Sequence, residues 1–197
     1  MKGSNLQVEK RYWKKGKNVI IGVDEAGRGC VAGPVVAGAV FVSREIVSRL
    51  KNPKYAFLSR IRDSKKIKEE EREKLYEMIK KIPEIIFATG KVSSQVIDKI
   101  NILEATKLAM KRALGSLRKK LLKKGIKKID LVILDGKMKI ETEIKQKAVI
   151  RADDKIFSCS LASIVAKVSR DRLMRKIAAL YPQYNFSQNK GYLTKEH

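Results

Sequence analysis

The chain has 197 residues, enough for one domain with a proper core, and its 45 Lys+Arg against 21 Asp+Glu leave a formal net charge of +24. An excess of that size is more than solubility requires and implies a polyanionic partner, nucleic acid before an anionic membrane surface. No apolar run approaches the ~18 residues of a membrane span, the N-terminus lacks the apolar stretch of a secretory leader, and two cysteines with one histidine give neither a disulfide framework nor a zinc site, so a cytoplasmic enzyme with no membrane partner is expected.

Residues 1–17 are polar and basic and read as a loose arm, with Tyr12 and Trp13 as anchors. Strands are predicted at Val19 to Asp24 and at Pro34 to Val42, where β-branched and aromatic residues concentrate. A helix is predicted over 67–82: Ile67, Leu75, Met78, Ile79 and Ile82 make its stripe, and Glu69, Glu70 and Glu71 suit the positive end of its dipole. Ile85 to Val92 reads as a strand, and 102–124 as a long helix with Ile102, Ala105, Ala109, Ala113 and Leu117 at steps of three and four. Short strands follow at Leu131 to Leu134 and Ala148 to Ile150, then a helix from Phe157 to Tyr181 with Leu161, Ile164, Val165 and Val168 on one face. Strands first, then strands alternating with helices, indicate a three-layer α/β domain with a mixed sheet.

Against the basic background, Asp24, Glu25, Asp135 and Asp153 stand at strand ends or just before a helix. Successive strand side chains point to opposite faces, so Asp24 and Glu25 share a site only if the backbone turns after Asp24, which Ala26-Gly27 permits. Converging carboxylates repel and raise one another's pKa. Hard divalent cations resolve that, and Mg²⁺ or Mn²⁺ would take the carboxylate oxygens together with a substrate phosphate. Two such ions would activate water and hold the leaving oxygen of a phosphodiester. Taken alone, Asp135-Gly136 reads as a turn and Asp153-Asp154 as a loop or helix cap; Asp24-Glu25 closing an apolar strand is harder to explain structurally. The run Arg118 to Lys128 is read two ways, as a solvated helix end or as a patch gripping a duplex through its phosphates.

Gly22-Val-Asp-Glu-Ala-Gly-Arg-Gly29, followed by Ala32-Gly-Pro-Val-Val36, closely resembles the N-terminal signature of type 2 ribonuclease H, ribonuclease HII. In the family's order come Asp63-Ser-Lys-Lys66, Leu134-Asp-Gly136, Ala152-Asp153, Ala162 to Val168 with Arg170-Asp171, and Lys190-Gly-Tyr192 with Thr194 to His197. The resemblance covers residues 19–197 and implies an α/β, ribonuclease H-like fold, a mixed five-stranded sheet flanked by helices, as one catalytic domain. It implies that Asp24, Glu25, Asp135 and Asp153 are the metal-binding, catalytic acids. Gly27, Arg28 and Gly29 match the loop whose backbone senses a ribonucleotide's 2′-hydroxyl, Tyr192 the tyrosine packed on the sugar, and Lys65 a lysine near the substrate phosphates. The implied activity is metal-dependent cleavage, with two Mg²⁺ or Mn²⁺ ions, on the 5′ side of ribonucleotides in duplex DNA and of RNA in RNA/DNA hybrids. It would leave 3′-hydroxyl and 5′-phosphate ends and serve replication and repair, and a monomer is expected. A backbone contact is a sensible detector, because the 2′-hydroxyl is what distinguishes RNA from DNA locally.

Three departures from the pattern stand out. Asp154 follows Asp153 directly, though the motif spacing favours Asp153; Asn189 stands where the family has a histidine; and the chain stops at His197 where relatives continue, so the family's C-terminal segment is expected to be largely absent. The sister type, ribonuclease HIII, has valine at the position of Ala26. Two other readings are a basic, non-catalytic nucleic-acid binder, which would have no use for convergent carboxylates, and another metal-dependent nuclease on the same fold that would cut all-DNA substrates.

Overall fold

The computed structural model describes residues 6–61, 64 and 67–195. Its centre is a five-stranded sheet in the order β3-β2-β1-β4-β5, formed by β1 (Ile20–Ala26), β2 (Val35–Val42), β3 (Ile85–Val92), β4 (Leu131–Asp135) and β5 (Gln146–Val149). β1–β2 and β2–β3 are antiparallel, while β1–β4 and β4–β5 are parallel, so the sheet is mixed. The parallel strands therefore end together, and Asp24 and Asp135 lie near that shared end.

The period of two in the sheet sorts its side chains onto two cores. Ile21, Val23, Val35, Ala37 and Ala39 meet the long helix α4 (Ser94–Lys123) through Ala105, Ala109, Ala113 and Leu117. Ile20, Val40 and Ile133 meet α6 (Phe157–Leu180) through Phe157, Leu161, Ala162 and Val165. A second layer then covers α6: α1 (Gln7–Lys14), the short α2 (Ile46–Arg49), the 3₁₀ segment Pro53–Arg60 and α3 (Glu69–Lys80). That layer explains why the first half of α6 is buried on every side, Ser158, Ser160 and Ser163 included, where the sequence pattern showed a single apolar face. Short α5 (Ala152–Lys155) precedes α6, and a 3₁₀ turn (Pro182–Tyr184) with α7 (Phe186–Asn189) follows it.

Glycine sets how close α6 comes. A Cβ on Gly22 would lie 2.3 Å from the Ser158 carbonyl carbon, and one on Gly38 2.5 Å from the Ala162 carbonyl oxygen. Only at residues without a side chain can helix backbone rest directly on the sheet.

The predicted elements differ from the observed ones at several ends. The N-terminal segment is not a loose arm: its described part forms α1, whose Leu6, Glu9 and Trp13 are buried. One helical stripe among many lysines hides this, because the lysines occupy the opposite face. α4 begins at Ser94, not 102. Asn101 interrupts it at φ 63°, and its Oδ1 accepts hydrogen bonds from the Leu103 and Glu104 N–H groups at 2.9 and 3.1 Å, capping the segment that the periodicity identified. β5 lies at Gln146–Val149 instead of Ala148 to Ile150, since an edge strand is fixed by pairing to β4 and not by burial.

Glu9 is the least expected member of the core. Its Oε1 accepts from the Ser158 N–H at 2.8 Å and from the Ser158 hydroxyl at 2.9 Å, so it caps the first turn of α6 from another helix. Its Oε2 finds no hydrogen-bond partner among the described residues, and burial pushes its pKa up despite the Ser158 contacts. A carboxyl whose folded pKa is raised contributes stability below its unfolded pKa and loses it as pH rises through the folded value. Glu9→Gln should therefore be more stable than the unsubstituted chain at alkaline pH, with the advantage shrinking on acidification. Thermal melts across pH check this; a pH-independent difference would contradict it.

Candidate active site

β1 ends in two adjacent acids whose side chains alternate. Asp24 follows Ile20 and Gly22 onto the α6 face; Glu25 follows Ile21 and Val23 onto the α4 face. The strand runs on through Ala26 without the turn after Asp24 that would put both acids on one side. Asp135, the last residue of β4, shares the α6 face with Ile133, and its Oδ1 accepts from the Ala152 N–H at 2.6 Å. That bond ties the strand end to the first turn of α5, which carries Asp153; the buried Ser160 hydroxyl donates to the Asp153 carbonyl from α6. Asp24, Asp135 and Asp153 thus offer carboxylate oxygens that all lie within 4.8 Å of one another, with Asp24 and Asp153 buried and Asp135 half-buried. Asp154, the alternative at this position, is half-buried and outside that group.

Glu25 stands beside the trio, not in it. Its N–H donates to Asp24 Oδ1 at 2.7 Å and its Oε1 lies 3.9 Å from Arg28 Nη1. The Asp24 carboxyl is pushed well above the usual carboxylate range, first by burial and then by the charges of Glu25, Asp135 and Asp153. Such a cluster, all oxygen and partly closed to water, fits a hard divalent cation: the ion's charge reverses the repulsion that otherwise favours protonation.

The glycine–arginine–glycine loop leaves β1 directly after these acids. Gly27 sits at φ 101°, and a Cβ there would fall 2.2 Å from Arg170 Nε and 2.7 Å from the Pro34 carbonyl oxygen. Arg28 is exposed, and Gly29 faces open space that a Cβ would not fill. Lys65 lies outside the described residues.

The residue that sequence reasoning left without a role is Arg170. It is fully buried on α6, and its guanidinium donates to three carbonyls: Pro34 at 2.9 Å, Ala32 at 3.1 Å and Lys190 at 2.8 Å. The Val31 and Ala32 N–H groups in turn donate to the Gly191 carbonyl at 3.0 and 3.3 Å. One side chain therefore clamps the exit of the loop to the segment bearing Tyr192, far along the chain. Tyr192 lies half-buried, with Lys167 Nζ 5.0 Å and Arg170 Cζ 5.7 Å from its ring centre, and its hydroxyl hydrogen-bonds Cys30. Lys167 is held by Asp171 at 2.8 Å, and Asp171 also pairs with buried Arg72 at 3.3 Å. With Arg172 and Arg175 on the same helix the sequence does not single it out; its burial does, since such a charge persists only when its donors are used.

The sequence model of the ribonuclease HII family matches residues 21–197. The chain belongs to the ribonuclease HII family. It is 46% identical over 189 residues to the ribonuclease HII of Caldanaerobacter subterraneus subsp. tengcongensis, covering 96% of this chain and 70% of that relative. It superposes on the crystal structure of ribonuclease H2 from Pyrococcus horikoshii OT3 with a TM-score of 0.67 at 30% identity, over 90% of this chain and 82% of the other. The structure of Bst-RNase HIII in complex with Mn²⁺ shares the fold, with a TM-score of 0.67 at 20% identity over 84% of this chain and 56% of that one. Ribonucleases HII are hydrolytic endonucleases acting on RNA/DNA, and the mixed five-stranded sheet is the family's architecture.

Two outcomes follow from this geometry. A raised Asp24 pKa means stability present at low pH and lost as pH rises, so near neutrality without divalent ions the cluster destabilises the fold. Asp24→Asn should raise Tm in EDTA by a few degrees, while Mn²⁺ should raise the Tm of the unsubstituted chain and not of the variant; calorimetry with and without metal decides. Arg170→Lys should cost about 2–4 kcal/mol, because one ammonium cannot serve three carbonyls, as read by urea denaturation.

Proposed function

We infer that this chain cuts the phosphodiester on the 5′ side of a ribonucleotide embedded in duplex DNA, and RNA paired with DNA, leaving 3′-hydroxyl and 5′-phosphate ends. The observation that carries the reading is one wall of the molecule: three carboxylates within 4.8 Å of one another, followed in the chain by a glycine-lined loop that Arg170 ties to Tyr192. Asp24, Asp135 and Asp153 hold the ions from the α6 face, and Glu25 completes the set from beside it. Two Mg²⁺ or Mn²⁺ ions, when bound, supply activated water and neutralise charge on the scissile phosphate.

The chain's own groups then do the reading. The backbone of Gly27 to Gly29 meets the 2′-hydroxyl, with Gly29 offering an approach that no side chain obstructs. Tyr192 packs on the neighbouring sugar, its ring kept in place by Cys30, Lys167 and the Arg170 clamp. Lys65 meets a substrate phosphate. On this reading the chain works as a single catalytic domain and a monomer, in the cytoplasm, removing ribonucleotides during replication and repair.

The test is cleavage of an end-labelled DNA duplex containing one ribonucleotide, with Mg²⁺, beside an all-DNA duplex and an EDTA control. One metal-dependent cut 5′ to the ribonucleotide is expected, with the all-DNA duplex intact and Asp135→Asn slower by about a thousandfold or more. Equal cutting of both duplexes would remove the 2′-hydroxyl reading, and a near-normal rate for Asp135→Asn would remove the metal-ligand assignment.

A further inference from the structure

The parallel strands β1, β4 and β5 end near the carboxylates; the segments that feed them lie at the opposite end of the sheet. Lys17 precedes β1, Lys127 and Lys128 precede β4, Lys145 immediately precedes β5, and Arg118 stands on the last turns of α4 above them. These five line one open cavity of about 560 Å³. The strand rise places it about 15 Å from Asp24.

The five cations of this cavity outnumber its two acids. On the α3–α6 side several arginines are taken up: Arg172 pairs with Glu73 at 2.6 Å and Glu77 at 2.8 Å, Arg49 with Glu84 at 2.9 Å, and Arg175 with Glu69 and Glu73. Among the described residues none of the five cavity cations lies within ion-pair distance of a carboxylate. Two acids share the lining, Asp130 and Glu143. Asp130 is already spent, its Oδ2 accepting from the Asn18 and Val19 N–H groups at 2.9 and 3.0 Å.

We propose that this groove is a second nucleic-acid contact, binding the phosphate backbone of a stretch of duplex other than the one at the carboxylates. The groove lies at the opposite end of the sheet from the carboxylates, so the second stretch is assigned to a bent portion of the same molecule or to another duplex. Double-stranded DNA presents one negative charge per ~1.7 Å of axis, so several phosphates meet the five cations at once, with no demand on sequence. The proposal goes beyond the cleavage reading and stands or falls apart from it, because binding is measured on all-DNA duplex in EDTA.

The experiment compares binding of a 60-bp all-DNA duplex, by fluorescence anisotropy over a range of KCl, for the unsubstituted chain and for Arg118→Glu/Lys127→Glu/Lys128→Glu. A control carries the same change in net charge at exposed lysines outside the groove, Lys51→Glu/Lys54→Glu/Lys74→Glu. The groove variant is expected to lose about tenfold or more in affinity and to show a salt slope shallower by about two to three, while the control stays within about threefold. Cleavage of a saturating 12-bp ribonucleotide duplex should be unchanged in the groove variant. Equal losses in both variants would mean bulk charge alone, and unchanged affinity a solvated surface; either overturns the proposal, as does loss of cleavage in a folded groove variant. Should charge reversal prevent folding, Lys127→Gln/Lys128→Gln is measured in its place, with a shallower slope expected and an unchanged one overturning the assignment.

Discussion

The contact on which the rest depends is backbone against backbone, where α6 lies on β1 and β2 at Gly22 and Gly38. No side chain separates helix from sheet there, so helix position is fixed by hard contact and not by adaptable packing. From that seat α6 reaches both halves of the site. Ser158 and Ser160 near its start receive Glu9 and hold the carbonyl of Asp153, and Arg170 three turns on clamps the loop to the tyrosine segment. A shift of α6 would disturb the acids and the glycine–arginine–glycine loop together. That coupling is what a nuclease needs if cleavage is to follow recognition, since both must be held within fractions of an ångström.

The acid trio shows how such rigidity is used. Three carboxylates in near contact would drift apart on flexible loops, because each raises the others' cost of ionising. Here two sit on strands of one sheet and the third on a helix turn that Asp135 itself caps. The frame holds the three groups together, and protonation or a divalent cation relieves their repulsion. Glu25, on the other face of the same strand, adds its charge to that field from outside the trio.

Much of this was legible in the sequence because strands and metal ligands leave local marks. Apolar runs ending in acids located β1 and β4, and the mixed character of the sheet followed from the order of strands and helices. What stayed hidden depends on partners distant in the chain. Glu9 looks like one more surface acid in a basic arm until α6 arrives to receive it, and α1 is too short for its stripe to stand out among lysines. Arg170 sits in a familiar motif, yet its three acceptors come from residues on both sides of it in the chain. Asn101 breaks a helix that its neighbours' propensities would continue, and its side chain then restarts it. In each case a buried or strained polar group is explained only by what tertiary structure brings to it.

The same distinction applies to the net charge. A sum of +24 says that the molecule attracts polyanions; it does not say where. The fold decides, by sending the acids of α3 against the arginines of α6 and the acids of the strand ends into one cluster. Both groups of acids are thereby withdrawn from the basic end of the sheet, where the segments entering β1, β4 and β5 bring lysines together from three separate parts of the chain. A polyanion approaching that end meets five cations against two acids, whereas one approaching the carboxylates meets clustered negative charge. Two ends of one sheet thus differ in kind, one a cluster of cations suited to phosphates and the other a cluster of acids suited to a divalent ion.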